Sequence, residues 1–267
     1  MKVIKYIILS IILLLMIFPL LWMFRISFLP TSIEGSLGNF FSSKFTLTSY
    51  IDLFLSGGMF IYLFNSIFVG AAVTIGNILF CFMVGYAFSR YRFIGKNLWF
   101  YSVIFVLMLP AHIVIIPLYL LIYKAGMYDT YWALILPFLV NPIGIFLVKQ
   151  YVDSIPKSME EAARIDGANE MTILFRIVMP LCKPALAVLA IQSFMTNWNS
   201  FLFPLILTSS ESVRTLPVGL ALYQGHQAID WPHLMAGSSL AVVPILVIFL
   251  FFQKNIVSGI TAGAIKQ

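Results

Sequence analysis

The amino-acid sequence predicts an all-α, polytopic membrane protein with six transmembrane helices. Three observations lead there. Of the 267 residues, 61% are apolar and only 10% charged, against roughly 45–50% and about 25% in a soluble domain. A mean hydropathy of +0.99 spreads the apolar excess along the whole chain, where a single anchor would concentrate it. The charged residues leave six uncharged stretches, each with enough residues to cross a hydrocarbon core that needs about 20 in helical form.

In chain order, the first stretch, 6–24, follows Lys2 and Lys5 and gives a span at 5–25. It resembles the apolar part of a signal peptide but is long for one. Arg25-Ile26-Ser27-Phe28-Leu29-Pro30 follows where a small-residue cleavage site would lie, so the segment reads as an uncleaved helix. The second stretch, 53–89, is interrupted by Gly57-Gly58 and gives a span at 59–88. The third and fourth spans are 97–123 and 130–148, the fifth 184–208 and the sixth 233–253. The uncharged run 215–229 is 15 residues long and contains Pro217, Gly219, Gly225 and His226. It is too short to cross and reads as an external or interfacial loop. The whole chain, 1–267, is one transmembrane domain, with prolines such as Pro110, Pro117, Pro137, Pro142 and Pro244 marking kinks or helix ends.

Charge sets the orientation. With both termini in the cytoplasm, twelve Lys and Arg fall inside and only Arg25, Lys44, Lys124 and Arg214 outside, as the positive-inside rule requires. The net charge of +6 is scattered through short loops, so it orients the chain in a membrane and makes no nucleic-acid patch. Cys81 and Cys182 match no disulfide or metal spacing, and His112, His226 and His233 stand alone in the sequence, so no metal or cofactor is expected. No catalytic pair lies within a span. The polar groups there are uncharged: Asn65, Thr74, Asn77, Asn141, Gln192, Asn197, Asn199, Ser238 and Ser239. Ion-coupled carriers usually need intramembrane ionisable groups, which weighs against that class. No phosphate-binding loop is present, since Gly95-Lys96 is followed by Asn97 and no suitable glycine precedes it.

The sizeable cytoplasmic segment is 149–183, which reads as two short helices joined at a glycine. Ser158 and Glu161 have capping-box spacing below Pro156, and the first helix runs to about Ile165. Asp166-Gly167 supplies a turn in which glycine takes φ > 0. Asn169 caps the next helix, with Glu170 in its first turn. Met171, Leu174, Phe175 and Val178 give that helix an apolar face until Pro180 ends it.

The spacing Glu161-Ala162-Ala163, Gly167, Ile177, Met179-Pro180 resembles the EAA loop of bacterial ABC import permeases, with Met179 where leucine is usual. Other segments resemble the smaller permease subunit of the carbohydrate, maltose-type importers. They are Gly85-Tyr86-Ala87-Phe88-Ser89-Arg90-Tyr91-Arg92-Phe93, Pro117-Leu118-Tyr119, Ala125-Gly126-Met127, Asn197-Trp198-Asn199-Ser200-Phe201, Thr215-Leu216-Pro217 and Ala262-Gly263-Ala264-Ile265-Lys266. Gly85 stands where the family usually has alanine, and Ser200 where it often has glutamate.

The resemblance implies a type I importer permease fold in the bacterial cell (inner) membrane. It further implies four kinds of partner: a second permease subunit, ATPase subunits that hydrolyse the ATP, an extracellular or periplasmic binding protein, and a sugar or oligosaccharide substrate. Membrane lipid surrounds the chain, and the segment 209–232 is the part that probes the binding protein. In such a permease the EAA loop couples ATPase closure to the spans. Here it would use Glu160, Glu161, Ala162, Ala163, Asp166, Gly167, Ile177 and Pro180, with the alanines allowing close approach and the two glutamates offering charge to a basic rim. Asn65, Asn141, Asn197, Trp198 and Asn199 are candidates for a substrate path, because amides pair with hydroxyls and an indole face stacks on a pyranose. Asn197, Trp198 and Asn199 read equally as helix-packing groups and an interface anchor. A permease for another small polar solute, and a polytopic carrier or enzyme working alone, remain the alternatives.

Overall fold

The computed structural model describes residues 2–30, 44–55, 57–222 and 230–264, and among them there is no strand. The chain opens with α1, Lys2–Ser27. Its stretch Ile4–Ser27 is long and apolar enough to span a bilayer, and residues 4–21 of it are exposed while Ile26 and Ser27 at its end are buried. A helix apolar all round and uncovered needs lipid or another chain against it. A short α2, Thr48–Leu55, follows. The sequence pattern does not announce it; Ser27 Oγ and Tyr50 OH at 2.8 Å, and Phe28 stacked on Phe45 at 4.6 Å, hold it to the end of α1.

The second span is a continuous run, α3 (Met59–Gly76), a π-helical segment (Asn77–Cys81) and α4 (Phe82–Arg90). The wide turn coincides with Asn77, whose amide donates to the carbonyls of Val73 at 2.9 Å and Phe138 at 2.8 Å. Insertions of this kind let a helix satisfy a neighbouring segment's backbone where water cannot.

The third and fourth expected spans are both broken. The third forms α5, Lys96–Val106, and α6, Ala111–Lys124. Between them Pro110 takes an extended conformation (ψ 125°) and starts the second piece, as a residue without an N–H does. The fourth divides into α7, Tyr131–Ile135, a 3-10 turn at Leu136–Phe138, and α8, Pro142–Asp153. Asn141 caps α8 by accepting from the Ile143 N–H at 2.9 Å. The helix also runs past the expected end at 148, where Lys149 and Asp153 pair at 2.6 Å one turn apart.

Beyond it come α9, Ser158–Ile165, and α10, Glu170–Thr172. A second π-helical segment, Ile173–Val178, leads into α11, Met179–Leu181. Then α12, Lys183–Trp198, turns away from Glu170–Leu181 by 79°. The chain continues through α13 (Leu202–Leu207), α14 (Leu216–Leu222) and α15 (Trp231–Ala264). Among the described residues three runs are long and apolar enough to cross a membrane: Ile4–Ser27, Met59–Arg90 and Tyr131–Asp153. The bent pair ending at Trp198 makes a fourth when counted as one span, with His112–Lys124 and Trp231–Val247 as shorter apolar helices.

The run 215–229 is not wholly a loop. Leu216, Val218 and Gly219 of α14 are buried, and Gly219 packs so closely on the Tyr62 ring that it leaves no room for a Cβ. Residues 223–229 of the expected binding-protein loop, His226 among them, lie outside the described residues.

The chain divides into two compact units, 1–65 with 214–247, and 66–213 with 248–267. In the first, Gly237 packs against Leu220 and Met59. His233 is not isolated there: its Nδ1 stands 2.6 Å from Asp230 and its Nε2 3.5 Å from Asp52. The second unit holds two apolar cores. One gathers Val69, Val73, Ile122, Leu134 and Leu207. The other joins α4 (Phe82, Tyr86), α8 (Ile145, Val148) and α12 (Leu186, Leu189) to the 149–183 segment through Ala163, Ile173 and Val178.

Candidate functional site: the segment 149–183

Two helical pieces meet here at a glycine. α9 closes in a Schellman turn: the Gly167 N–H donates to the Arg164 carbonyl at 3.1 Å and the Ala168 N–H to that of Ala163 at 2.9 Å. The turn requires a left-handed C′ residue, and Gly167 has φ +83°. Asn169 then caps α10, accepting from the Thr172 N–H at 2.8 Å.

Two expectations change. The Ser158–Glu161 capping box does not form: Lys157 occupies the cap position in helical conformation, with no side-chain cap. Its carbonyl already accepts from the N–H groups of Glu160 and Glu161, each at 3.0 Å. The helical turn begins a residue early, so Ser158 is already inside it. The apolar face of the second piece is also rotated. Met171 is exposed while Ile173, Leu174 and Val178 are buried, because the π-helical winding holds more residues per turn than the 3.6-residue pattern assumes.

The glutamates part company. Glu161 points outward, whereas Glu160 is 2% exposed and offers no charge to an outside rim. One of its oxygens lies 2.5 Å from Arg90 Nε and the other accepts from Tyr86 OH at 3.1 Å. Arg90 Nη2 also donates to the Ile155 carbonyl at 2.8 Å. A buried carboxylate is tolerated only with such pairing. The alanines divide likewise: Ala162 is exposed, while Ala163 joins the apolar core. Asp166, Gly167 and Pro180 lie on the surface, with Ile177 half-buried.

A second, exposed link runs alongside. Tyr91 OH donates to Glu170 at 3.0 Å, and Arg164 Nε donates to the same carboxylate at 2.8 Å. The Arg164 hydrogen bond, then that of Tyr91, holds the Glu170 carboxyl below its ordinary range. Burial first, then the bond to Glu170, pushes the Tyr91 phenol up.

The substrate-path candidates are engaged internally. Asn65 is fully buried and donates to the Arg214 carbonyl at 2.9 Å. Asn141 is the cap of α8. Asn197 and Asn199 bond back to the carbonyls of Ser193 and Met195 at 3.0 and 2.8 Å. Trp198 is 2% exposed, its ring stacked on Phe194 at 5.7 Å, so no indole face is presented to a sugar. Sequence reading missed Arg90 and Tyr86. Their signal was faint: Glu160 lies three residues before Ala163, on the helix face that turns inward. Among the described residues no group of three His, Cys, Asp or Glu could hold a metal.

The model of the family described as binding-protein-dependent transport system inner membrane component matches residues 77–262, which include all of this segment. The chain belongs to that family. Its relatives include the arabinooligosaccharides transport system permease protein AraQ of Halalkalibacterium halodurans, 39% identical over 254 residues, covering 94% of this chain and 91% of AraQ. The trehalose/maltose transport system permease protein MalG of Thermococcus litoralis is 36% identical over 257 residues, with 94% and 91% covered. A crystal structure of a bacterial ABC transporter that imports the acidic polysaccharide alginate contains a chain of the same fold. Its TM-score is 0.82 at 24% identity, with 95% of both chains covered. This permease is therefore a membrane component of a transport system, helical and without strands among its described residues, and of the ABC importer fold.

Proposed function

We propose that this permease is one of two membrane subunits of an importer for sugars or oligosaccharides, and that its 149–183 segment receives the push of an ATPase. Its relatives are named for arabino-oligosaccharide and for trehalose and maltose transport, which supports a sugar or oligosaccharide cargo. Six spans with both termini in the cytoplasm put the segment on the ATPase side, by the twelve-to-four distribution of Lys and Arg.

The observation that carries the coupling reading is the two-faced build of α9. Its inner face, Glu160 and Ala163, is fixed to the permease. Its outer face presents Glu161, Ala162 and Ile165, the last 86% exposed. A short helix pinned by its inner face, with a large aliphatic group and a small residue side by side on its outer face, leaves room for another surface to close on it.

The test is cross-linking in the assembled transporter. Ala162→Cys should form a link to the ATPase subunit, and Ala163→Cys, facing inward, should not. Uptake of labelled arabinotriose, trehalose and maltose by cells carrying the permease with its neighbouring transport genes reads the cargo. Failure of Ala162→Cys to reach another chain would remove the coupling role. Uptake of none of the three sugars would turn the substrate assignment toward another small polar solute.

A further inference from the structure

We propose that Glu160 is a positioning residue that locks α9 to the end of α4. A displacement of the loop then enters the membrane through the Met59–Arg90 helix, not only along the chain through α12. The inference rests on the reading of 149–183 as the surface that meets an ATPase.

The covalent route out of α9 is compliant. It passes through Gly167, left-handed and with no atom within 4 Å of where a Cβ would be. The non-covalent route is stiff. Tyr86 and Arg90 stand one turn apart on α4, and each holds one oxygen of Glu160. The Arg90 guanidinium also grips the Ile155 carbonyl, just before α9 begins. α4 thus holds α9 in its first turn and at its approach. Arg90 and Glu160 side chains are 6% and 2% exposed, so the pair is shielded from water and salt. Removing one partner of such a pair shifts the balance between docked and undocked α9 by roughly a hundredfold to several thousandfold. The exposed link from Tyr91 to Glu170 and Arg164 ties the following piece to the same helix end.

What α4 does with the push follows from its other end. There the winding changes at Asn77–Cys81, and such a segment is where a long helix bends. α4 is nine residues between a docked loop and a place that gives. α8 lies along it, with Gly85 against Val148. A force on α9 is thereby delivered to one face of the second span.

The experiment uses the assembled transporter in lipid, with spin labels at Ser158→Cys, the exposed first residue of α9, and at Arg92→Cys just past α4. Cys81 and Cys182 are buried and compete little for label. The distance is measured without nucleotide and after trapping with ATP and vanadate. The parent should give the same distance in both states. Glu160→Ala should shift or broaden the trapped distribution while ATP hydrolysis continues. A merely structural defect would instead lower abundance and hydrolysis together. Glu160→Gln and Tyr86→Phe keep the size of the groups and should show the same effect in smaller degree, so they decide the matter if Glu160→Ala fails to accumulate. A parent distance that changes on trapping, or variants identical to the parent, overturns the inference even where Ala162→Cys still cross-links to the ATPase. Loss of that cross-link in the parent removes the coupling reading, and this inference with it.

Discussion

Gly85 of α4 lies so close to α8 that a Cβ on it would stand 2.8 Å from Cγ1 of Val148 and 3.1 Å from the Ile145 carbonyl. Real side chains do not tolerate the first distance, so the glycine sets how near the two helices approach. In this chain Val148 is pressed into the space that a Cβ on residue 85 would need.

Gly85→Ala should destabilise the permease. Alanine gains up to about 1 kcal/mol of helix propensity over glycine. Overpacking a tight contact costs about 1–3 kcal/mol, and Val148, stiff at χ1 and fully buried, has no easy retreat. The overpacking term wins. Membrane abundance and the apparent Tm in detergent should both fall, and adding Val148→Ala should restore them.

Trp198 tests whether the amide and indole cluster is scaffold or sugar site. Its ring is stacked on Phe194 and buried, so truncation removes packing. Trp198→Ala should cost about 3–5 kcal/mol and lower abundance, whereas Trp198→Phe should keep most of it. For the phenylalanine variant the uptake KM should match the parent's. A raised KM at normal abundance would return Trp198 to the substrate path.

The tie between Tyr91, Glu170 and Arg164 gives a pH dependence of known sign. The folded Glu170 carboxyl titrates below its ordinary value of 4.5, first because of Arg164 and then Tyr91. Its contribution to stability is therefore present above that value and is lost as pH falls through the lower, folded one. The pair is about half exposed, so the effect is modest. Lowering pH from neutrality to below 4.5 should depress the Tm of the parent more than that of Glu170→Gln, and the two curves should converge in acid.

How much of this was readable in the residues differs by the range of the interaction. The fold class follows from composition, since 61% apolar residues leave little choice. The Gly167 turn and the Asn169 cap are local devices, fixed by partners within five residues, and the sequence displays them. The breaks at Pro110 and Asn141-Pro142 are half legible: proline marks the place, but an uncharged run does not reveal that the helix stops there. Glu160 is the opposite case. Its charge and its place next to Glu161 argue for the surface, and only partners 70 and 74 residues away turn it inward. The two π-helical segments are invisible to a 3.6-residue pattern, which is why the apolar face after Glu170 was misplaced by Met171.

Gly167 carries the last prediction, because its backbone requirement can be separated from its surroundings. Its φ is +83°, and nothing lies within 4 Å of a Cβ built on it, so any penalty for a substitution is conformational and not steric. A β-branched residue resists that region most, and forcing one there costs on the order of 1–3 kcal/mol. Asparagine, which visits it more readily, should cost less. Gly167→Val should leave the spans and the membrane abundance of the permease intact. It should undo the Schellman turn between α9 and α10, abolish transport, and weaken the Ala162→Cys link to the ATPase. Gly167→Asn should keep a substantial part of both. Equal loss in the two variants would mean that the missing side chain matters, and not the left-handed turn; normal transport in both would mean that the angle between the two helical pieces does not transmit the push at all.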